Sequence, residues 1–573
     1  MQEWRVYSKK ADFKSVGEHF GVDQVIARII RNRDVCEEND IDMFLNGDIS
    51  KLHDPMLMKD MEKAVDIMIK AVADNMRIRI IGDYDIDGIC SIYILFKGLK
   101  KIGADVDYDI PDRIADGYGI NENLIKKAYD DGVKLIITCD NGIAAVSQIE
   151  YAKTLGMTVV VTDHHDVQYE EKDGVREYLI PPADAVVDPK QPDCEYPFKC
   201  LCGAGIAYKY ICVLYRRFAI NDECHKDLLE MAAFATVGDI VDLLDENRII
   251  VKEGLKLIQR TKNIGLNHLI NLCGIEKSKI RAYHIGFVLG PCLNASGRLD
   301  SAKRALRMLL TSDSEEAFVL AGDLKELNEE RKQLTLEAVE EAVTIIENSS
   351  LSDDRVLVLF LPDCHESIAG IVAGRIRERY YKPTIVLTRT EDGAKGSARS
   401  TEQYNIFEKL LECKDLLTKF GGHPMAAGLS LKEENVNPLR KRLNVQCGLT
   451  DADMIEKIWI DVPMPLDYVN LPLIRQMDKL EPFGKANPKP VFADKNLKPA
   501  FVTSMGKSGQ FTKLTLVKEN GFRINAVGFF EPGELMEAEK KHKRISCIYY
   551  PEINSFRGKD EIQIIINNYR LEE

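Results

Sequence analysis

Three times between residues 77 and 190 a short β-branched run ends in a cluster of acidic residues. Residues 77–81 lead into Gly82-Asp83-Tyr84-Asp85-Ile86-Asp87-Gly88, residues 134–139 into Asp140-Asn141-Gly142, and residues 157–162 into Asp163-His164-His165. Helical stretches over 89–102 and 143–155 separate the runs, with Gly103 placed as a C-terminal stop. Strand, helix, strand, helix at this spacing predicts a right-handed parallel α/β sheet. In such a sheet the C-terminal strand ends line one crevice, so the three motifs are expected to meet there. Thr236-Val237-Gly238-Asp239, after a helix-like segment, adds a fourth acidic motif.

Carboxylates gathered in one crevice repel each other unless protons or cations neutralise them. Divalent metal is the simplest solution, and a mixed oxygen and imidazole set has room for two ions that activate a water and clamp a phosphate. Carboxylate oxygen suits Mg2+ or Mn2+, whereas imidazole moves the choice away from strict Mg2+. One aspartate alone reads as a turn or cap residue. The four motifs together read as a metal site.

At 573 residues the chain is too long for a single core, and several domains are expected. Residues 203–310 look mainly helical. From Ala317 onward Leu320, Leu324, Leu327, Leu334 and Ala338 recur at mostly three- and four-residue steps among charged residues, which predicts one long amphipathic helix over 314–348. A second α/β pattern begins at 355–361, continues through 384–387 and reaches a Gly-rich loop at 420–428. Beyond about residue 455, short β-like runs at 513–516, 525–529, 545–550 and 562–566 alternate with Gly, Pro and Asn turns, as in a small β-barrel. The reading is a multidomain α/β chain: an N-terminal segment 1–49, a parallel-sheet domain 50–312, a connecting helix 313–348, a second α/β domain 349–450 and a barrel domain 451–573.

The first residues lack the apolar core of an export signal, and no apolar run approaches the roughly 20 residues of a membrane helix. A soluble, cytoplasmic protein without a membrane partner is expected. Its 14 cysteines then read as reduced thiols. The group Cys194, Cys200, Cys202 lacks the paired spacing of a zinc site.

The formal charge of −14 argues against indiscriminate coating of nucleic acid, but it is segregated. Residues 454–573 sum to +2 and the rest of the chain to −16. Within 485–518 seven lysines face one acid, Asp494, with Phe492, Phe501 and Phe511 interleaved. Cations for phosphates and rings for bases are what a single-strand-binding OB-fold uses; basic loops around core phenylalanines are the plainer alternative.

Asp163-His164-His165 is the name-giving triplet of the DHH phosphoesterase superfamily, and the other acidic motifs resemble its pattern in the right order. Gly421-Gly422-His423-Pro424-Met425-Ala426-Ala427-Gly428 resembles the signature of the associated DHHA1 domain. Within the superfamily, Pro111-Asp112-Arg113 with Gly117-Tyr118-Gly119, residues 290–299, and Leu480-Glu481-Pro482-Phe483-Gly484 with Asn487-Pro488 resemble the RecJ family of single-strand-specific 5′→3′ exonucleases.

The resemblance implies a DHH domain, a DHHA1 domain and an OB-like barrel. It further implies two divalent ions, Mn2+ or Mg2+, held by Asp85, Asp87, Asp140, His164 and Asp239, with Asp140 between them. His165 would act at the scissile phosphate, while Asp83 and Asp163 orient ligands. Arg113 would take a terminal 5′ phosphate and Tyr118 would stack on a base. Arg298, Ser397 and Arg399 (the last two in a polar turn) and Gly421, Gly422 and His423 (in the Gly-rich loop) would hold the strand. Implied partners are single-stranded DNA, a single-strand-binding protein and a helicase, in DNA repair and recombination, for a monomeric enzyme. Two rival readings are a phosphodiesterase of short oligonucleotides or cyclic dinucleotides and a non-catalytic strand-binding scaffold. Two departures stand out: Gly290-Pro291-Cys292 lacks an arginine usual at 292, and His365-Glu366-Ser367 lacks a usual Pro-Gly.

Overall fold

The computed structural model describes residues 2–113, 117, 119–172, 174–221, 226–506, 509–556 and 559–572. The chain divides into two compact units: residues 54–239 with 254–456, and residues 3–53 with 240–253 and 457–573.

The first unit opens on β1 (Ile78–Gly82), α1 (Ile86–Lys101), β2 (Val106–Asp109), β3 (Leu135–Cys139), β4 (Thr158–Thr162) and β5 (Ala185–Val187). These strands form one parallel sheet in the order β2-β1-β3-β4-β5. Every residue of β1 and β3 is buried, which is why their sequences run apolar without alternation. Arg79 is the exception inside β1. Its Nε lies 2.7 Å from Asp107 Oδ1 and its Nη1 2.9 Å from Asp131 Oδ2, so the buried charge is paired. Two helices follow, α2 (Gly203–Arg217) and α3 (Lys226–Gly238). A helical stretch from Ala282 continues through a π-helical turn, Ile285–Leu289, into α4 (Gly290–Leu299).

The long helix expected over 314–348 is α5 (Ser314–Glu347), 34 residues capped by Asp313, whose side chain accepts from the Glu315 and Glu316 amides. It leads to β6 (Leu357–Phe360), α6 (Ala369–Tyr380), β7 (Thr384–Thr390), β8 (Gly393–Arg399), β9 (Leu417–His423) and β10 (Ala426–Leu431). The second sheet has the order β9-β10-β8-β7-β6, parallel only between β6 and β7. Two local expectations are corrected here. Ser397 and Arg399 lie on strand β8 rather than in a turn, and the Gly-rich stretch is the hairpin β9–β10 rather than a loop. Pairing with β8 supplies the extended conformation that glycines do not favour by themselves.

In the second unit β11 (Phe492–Met505), β12 (Phe511–Val517), β13 (Arg523–Gly528), β14 (Ile545–Phe556) and β15 (Lys559–Leu571) close into a barrel, order β11-β12-β13-β15-β14. N-terminal helices Gln24–Asn32 and Glu38–Asn46 share its core: Ile26, Ile29, Ile30 and Phe44 belong to one apolar cluster with Leu480, Phe492, Leu514 and Ile564. Phe492 is thereby a core residue and not a stacking ring. Arg248 is also buried in this unit. Its Nε donates to Phe44 O at 2.8 Å, Nη1 to Leu480 O at 2.9 Å, and Nη2 to Lys479 O and Glu481 O, both at 2.8 Å. Among the described residues no helix is long and apolar enough to cross a membrane.

Candidate metal centre

β1 ends at Gly82, and the next carboxylates are held by the start of α1. Asp85 caps the helix, its Oδ1 accepting from the amides of Asp87 at 2.9 Å and Gly88 at 3.1 Å. Asp87 sits in the first turn, two residues after the cap, without solvent exposure. Both of its oxygens accept from the first amides of α2: Gly203 N at 2.6 Å and Ala204 N at 2.8 Å. A helix N-terminus favours negative charge, so α2 stabilises this carboxylate where water is absent. Position 203 must be glycine for α2 to come so near, since a methyl there would lie 2.7 Å from Asp140 Cβ. Burial, with the Asp85 charge second, still pushes the Asp87 carboxyl up to about 6.

Asp140 follows β3 and is buried at φ +59°, a left-handed conformation that asparagine and aspartate tolerate better than other side chains. Burial and then the charges of Asp87, Asp85, Asp83 and Asp239 raise its pKa well above the carboxylate range. His164 follows β4. Its Nε2 lies 3.1 Å from Asp140 Oδ1, 3.7 Å from Asp87 Oδ2 and 3.9 Å from Asp239 Oδ2. Burial lowers His164 to about 3, leaving the neutral imidazole that ligates metals.

Asp239 arrives at the end of α3, held by its amide on Ala235 O at 2.8 Å. On the same helix Glu230 is buried, and Thr261 Oγ1 donates to its Oε1 at 3.0 Å. Burial, reinforced by the Asp227 charge, pushes Glu230 up to about 7.

Three donor groups emerge: Asp140, His164 and His165; Asp87, His164 and Asp239; Asp83, Asp85 and Asp140. Asp83 Oδ1 is buried without a hydrogen-bond partner, and burial followed by the Asp85 charge holds its pKa well above the ordinary value. Repelling carboxylates, an orphaned buried oxygen and a neutral imidazole fit divalent cations of the Mg2+ and Mn2+ kind.

Asp163 differs. Its Oδ1 accepts from His164 N at 2.7 Å and His165 Nδ1 at 2.7 Å, and Oδ2 accepts from Ile143 N at 2.8 Å. Both oxygens are thus occupied by protein donors. Although burial works against charge on both partners, their mutual bond holds Asp163 below its usual range and lifts His165 to about 9.

Arg113 and Arg298 stand next to the loop that carries Asp83 and Asp85. Arg113 lies over the Tyr84 ring at 4.9 Å and close enough to Arg298 for their charges to interact. Burial, then the Arg113 and Arg331 charges, lowers Arg298 to about 10, and its Nη1 donates to Ser367 O at 2.6 Å. Sheet register brings the DHHA1-like residues together: Ser397 pairs Gly428, which pairs Gly421, and Arg399 pairs Ala426, which pairs His423. Gly422, at φ +152°, lies so near β10 that a methyl would fall 2.4 Å from Ala426 O. The His423 charge reaches Asp166, beside the His164-His165 motif. Tyr118 lies outside the described residues.

Two residues were missed by sequence reasoning. Asn294 Oδ1 accepts from Ile86 N at 2.8 Å and so braces the metal-binding loop from α4. Asp188, at the end of β5, is buried with Oδ2 unpartnered, and burial raises it to about 8. The signal for Asp188 was a fourth β-branched run ending in an acid, 185–188. Cys292 is buried, accepts from Asn328 Nδ2 at 3.4 Å and does not face solvent.

Donors of this kind, hung from the ends of a parallel sheet, handle phosphorus chemistry and place the protein among the DHH phosphoesterases. Profiles of the DHH family, N-terminal domain, the DHHA1 domain and the RecJ OB domain match residues 77–236, 353–448 and 460–568. The chain belongs to the RecJ family. It is 37% identical to the single-stranded-DNA-specific exonuclease RecJ of Bacillus subtilis, covering 100% of this chain and 71% of that one. Against the Escherichia coli exonuclease of the same name it is 31% identical over 89% and 90% of the two chains. The crystal structure of Thermus thermophilus RecJ with Mn2+ superposes with a TM-score of 0.82 at 26% identity, covering 100% of this chain and 80% of that one. A Mg2+ complex of the Thermus protein gives 0.79 at 25%.

Proposed function

We propose that this chain is a metal-dependent exonuclease that degrades single-stranded DNA from the 5′ end to mononucleotides. The observation that carries the reading is the donor ring of Asp83, Asp85, Asp87, Asp140, His164 and Asp239 at the ends of the parallel sheet. Asp85, Asp87, Asp140, His164 and Asp239 would hold two ions, Mn2+ or Mg2+. Such ions, when bound, lower the pKa of water and stabilise charge on a phosphoryl oxygen.

The chain's own residues do the rest. Asp163 fixes the His165 ring through Nδ1 and favours its protonated form, which orients His165 to present a proton to the scissile phosphate. Arg113 and Arg298 bind a terminal phosphate through planar guanidinium forks. Ser397, Arg399 and His423 offer donors to the next phosphates, and the open Cβ side of Gly421 lets the backbone approach them. The strand passes between the two sheets of the first unit, in a path that reads shape and charge rather than base edges.

The barrel supplies a second grip. Phe501 and Phe529 are exposed, Phe511 meets Phe529 edge-on at 5.5 Å, and Lys495, Lys498 and Lys513 are exposed on β11 and β12. Lys507 lies outside the described residues. A single-strand-binding protein and a helicase are the proposed partners of a monomeric, cytoplasmic enzyme in DNA repair and recombination.

Digestion of 5′-labelled and 3′-labelled oligonucleotides of 2 to 60 residues, single-stranded and duplex, with Mn2+ or Mg2+ tests the reading. Mononucleotides released from the 5′ end of long single strands are expected. Preference for dimers over long strands would replace it with a short-oligonucleotide phosphodiesterase, and binding without shortening would replace it with a scaffold.

A further inference from the structure

The helical stretch that crosses the metal-binding loop ends, on the side away from Arg298, in two exposed rings. Phe287 is 69% exposed and Tyr283 63%, and they stack on each other with centroids 5.0 Å apart at 27°. Both precede or lie within the π-helical turn Ile285–Leu289, a rare element that recurs at functional sites. Two large rings in contact with each other and turned to water offer one continuous apolar face. Nothing in the proposed chemistry uses them.

Their position ties them to the site. A methyl on Gly286, the residue before Phe287, would lie 3.7 Å from Val237 Cγ1, two residues before Asp239. Further along, a methyl on Gly290 would meet Ile86 Cδ1 at 3.1 Å, Asn294 bonds Ile86 N, and a methyl on Gly297 would meet Tyr84 O at 2.3 Å. One helical stretch therefore follows the metal loop throughout, with Arg298 at one end and the ring pair at the other. Eleven residues separate Phe287 from Arg298, about 16 Å along a helix. That distance equals about five steps of a strand stacked at 3.4 Å and fewer of a stretched one. Arg281 precedes the rings in sequence, as does Lys279, whose Nζ is paired with Glu276 Oε2 at 2.6 Å.

We propose that Tyr283 and Phe287 form a stacking platform for unpaired bases of the substrate strand, about three to five nucleotides from the end held at Arg298. The stack of two rings continues onto a base, whose π-face is available only when the strand is single. The platform thereby adds to strand selection without reading sequence. It rests on the strand-degrading reading above, and it predicts that grip begins at a threshold length.

The test uses the full chain with Phe287→Ala, Tyr283→Ala and the ring-retaining Phe287→Trp. Anisotropy of labelled oligo-dT without divalent ions reads binding alone, and Mn2+-dependent cleavage reads KM and kcat. Roughly tenfold weaker binding and higher KM are expected for strands of eight or more nucleotides with either alanine variant. Dinucleotide turnover stays unchanged, and Phe287→Trp restores the parent values. Abasic sites at nucleotides three to five should weaken binding to the parent protein but add nothing in Phe287→Ala. Equal losses on dinucleotides and long strands, or parent-like binding at every length, would overturn the platform. Absence of cleavage by the parent protein with retained length-dependent binding would instead overturn the exonuclease reading and leave the platform standing.

Discussion

Glu230 offers a stability test of the helix that delivers Asp239. The carboxyl is 3% exposed and held near pKa 7, against its ordinary 4.5, chiefly by burial. In the folded protein it keeps its proton up to about pH 7, whereas in the unfolded chain it loses it near 4.5. Between those values the native state binds more protons, so stability falls as pH rises through the window and the full cost is present above it. At about 1.4 kcal/mol per tenfold change in acidity, that cost reaches about 3 kcal/mol. Glu230→Gln removes the ionisation while its amide oxygen still accepts from Thr261. Any packing penalty of the new NH2 group is the same at every pH and drops out of the comparison. Calorimetric melting of both proteins from pH 4.5 to pH 8.5 should therefore show a stability difference that shifts in favour of the variant by about 3 kcal/mol across the series. A difference that stays flat, or moves in favour of the parent protein as pH rises, would refute the assignment of the raised pKa to Glu230.

Asp140→Asn should lose Mn2+ binding by calorimetric titration, by more than the roughly 10–100-fold that follows loss of a ligand's supporting partner, while metal-free melting is unchanged or raised because a repelling carboxylate has gone. Asp163→Asn should bring His165 from about 9 toward its ordinary 6.5 in imidazole 15N spectra of the metal-free protein, and an unaltered titration would contradict the pairing. Arg298→Ala should raise KM for 5′-phosphorylated strands by roughly 10–100-fold and spare 5′-hydroxyl strands, the scale of a lost charge-assisted bond. Arg248→Met takes their Arg248 donor from the Phe44, Lys479 and Glu481 carbonyls, at about 1–3 kcal/mol for each buried group not rescued by water, while Leu480 O keeps Asn487 Nδ2. Both tryptophans, Trp4 and Trp459, lie in the second unit, so their fluorescence in urea should report the unfolding of that unit.

Much of the site was legible because its parts are local. A β-branched run followed at once by acids marks a buried strand end, and β1, β3 and β4 fall where those runs stand. What failed were features set by distant pairing. The hairpin β9–β10 looked like a loop since Phe420 to Gly428 holds three glycines, and its strand character comes from register with β8. The first barrel strand, β11, escaped notice because lysines, an asparagine and a proline interrupt its apolar residues. The placing of Phe492 in the core rather than on the surface was likewise invisible, since its neighbours in the cluster are supplied by the N-terminal helices. Asn294 has no local pattern that separates a brace from an ordinary helix residue, whereas Asp188 closes a β-branched run of the same kind as the other three.

The second unit draws on three stretches of chain that are far apart in the order of synthesis. Ile26, Ile30 and Phe44 are made first, yet the cluster that covers them includes Leu480, Phe492 and Ile564. At roughly 5–20 residues per second, about half a minute to nearly two minutes of translation separate the two. Arg33 waits equally long for Asp461, its buried partner at 2.7 Å. During that interval an apolar face and an unpaired cation stand open, so the nascent chain has the greatest need of chaperone cover after the metal-binding sheet is already complete. A ribosome stalled before residue 461 would leave a folded first unit attached to a sticky, unfinished second one.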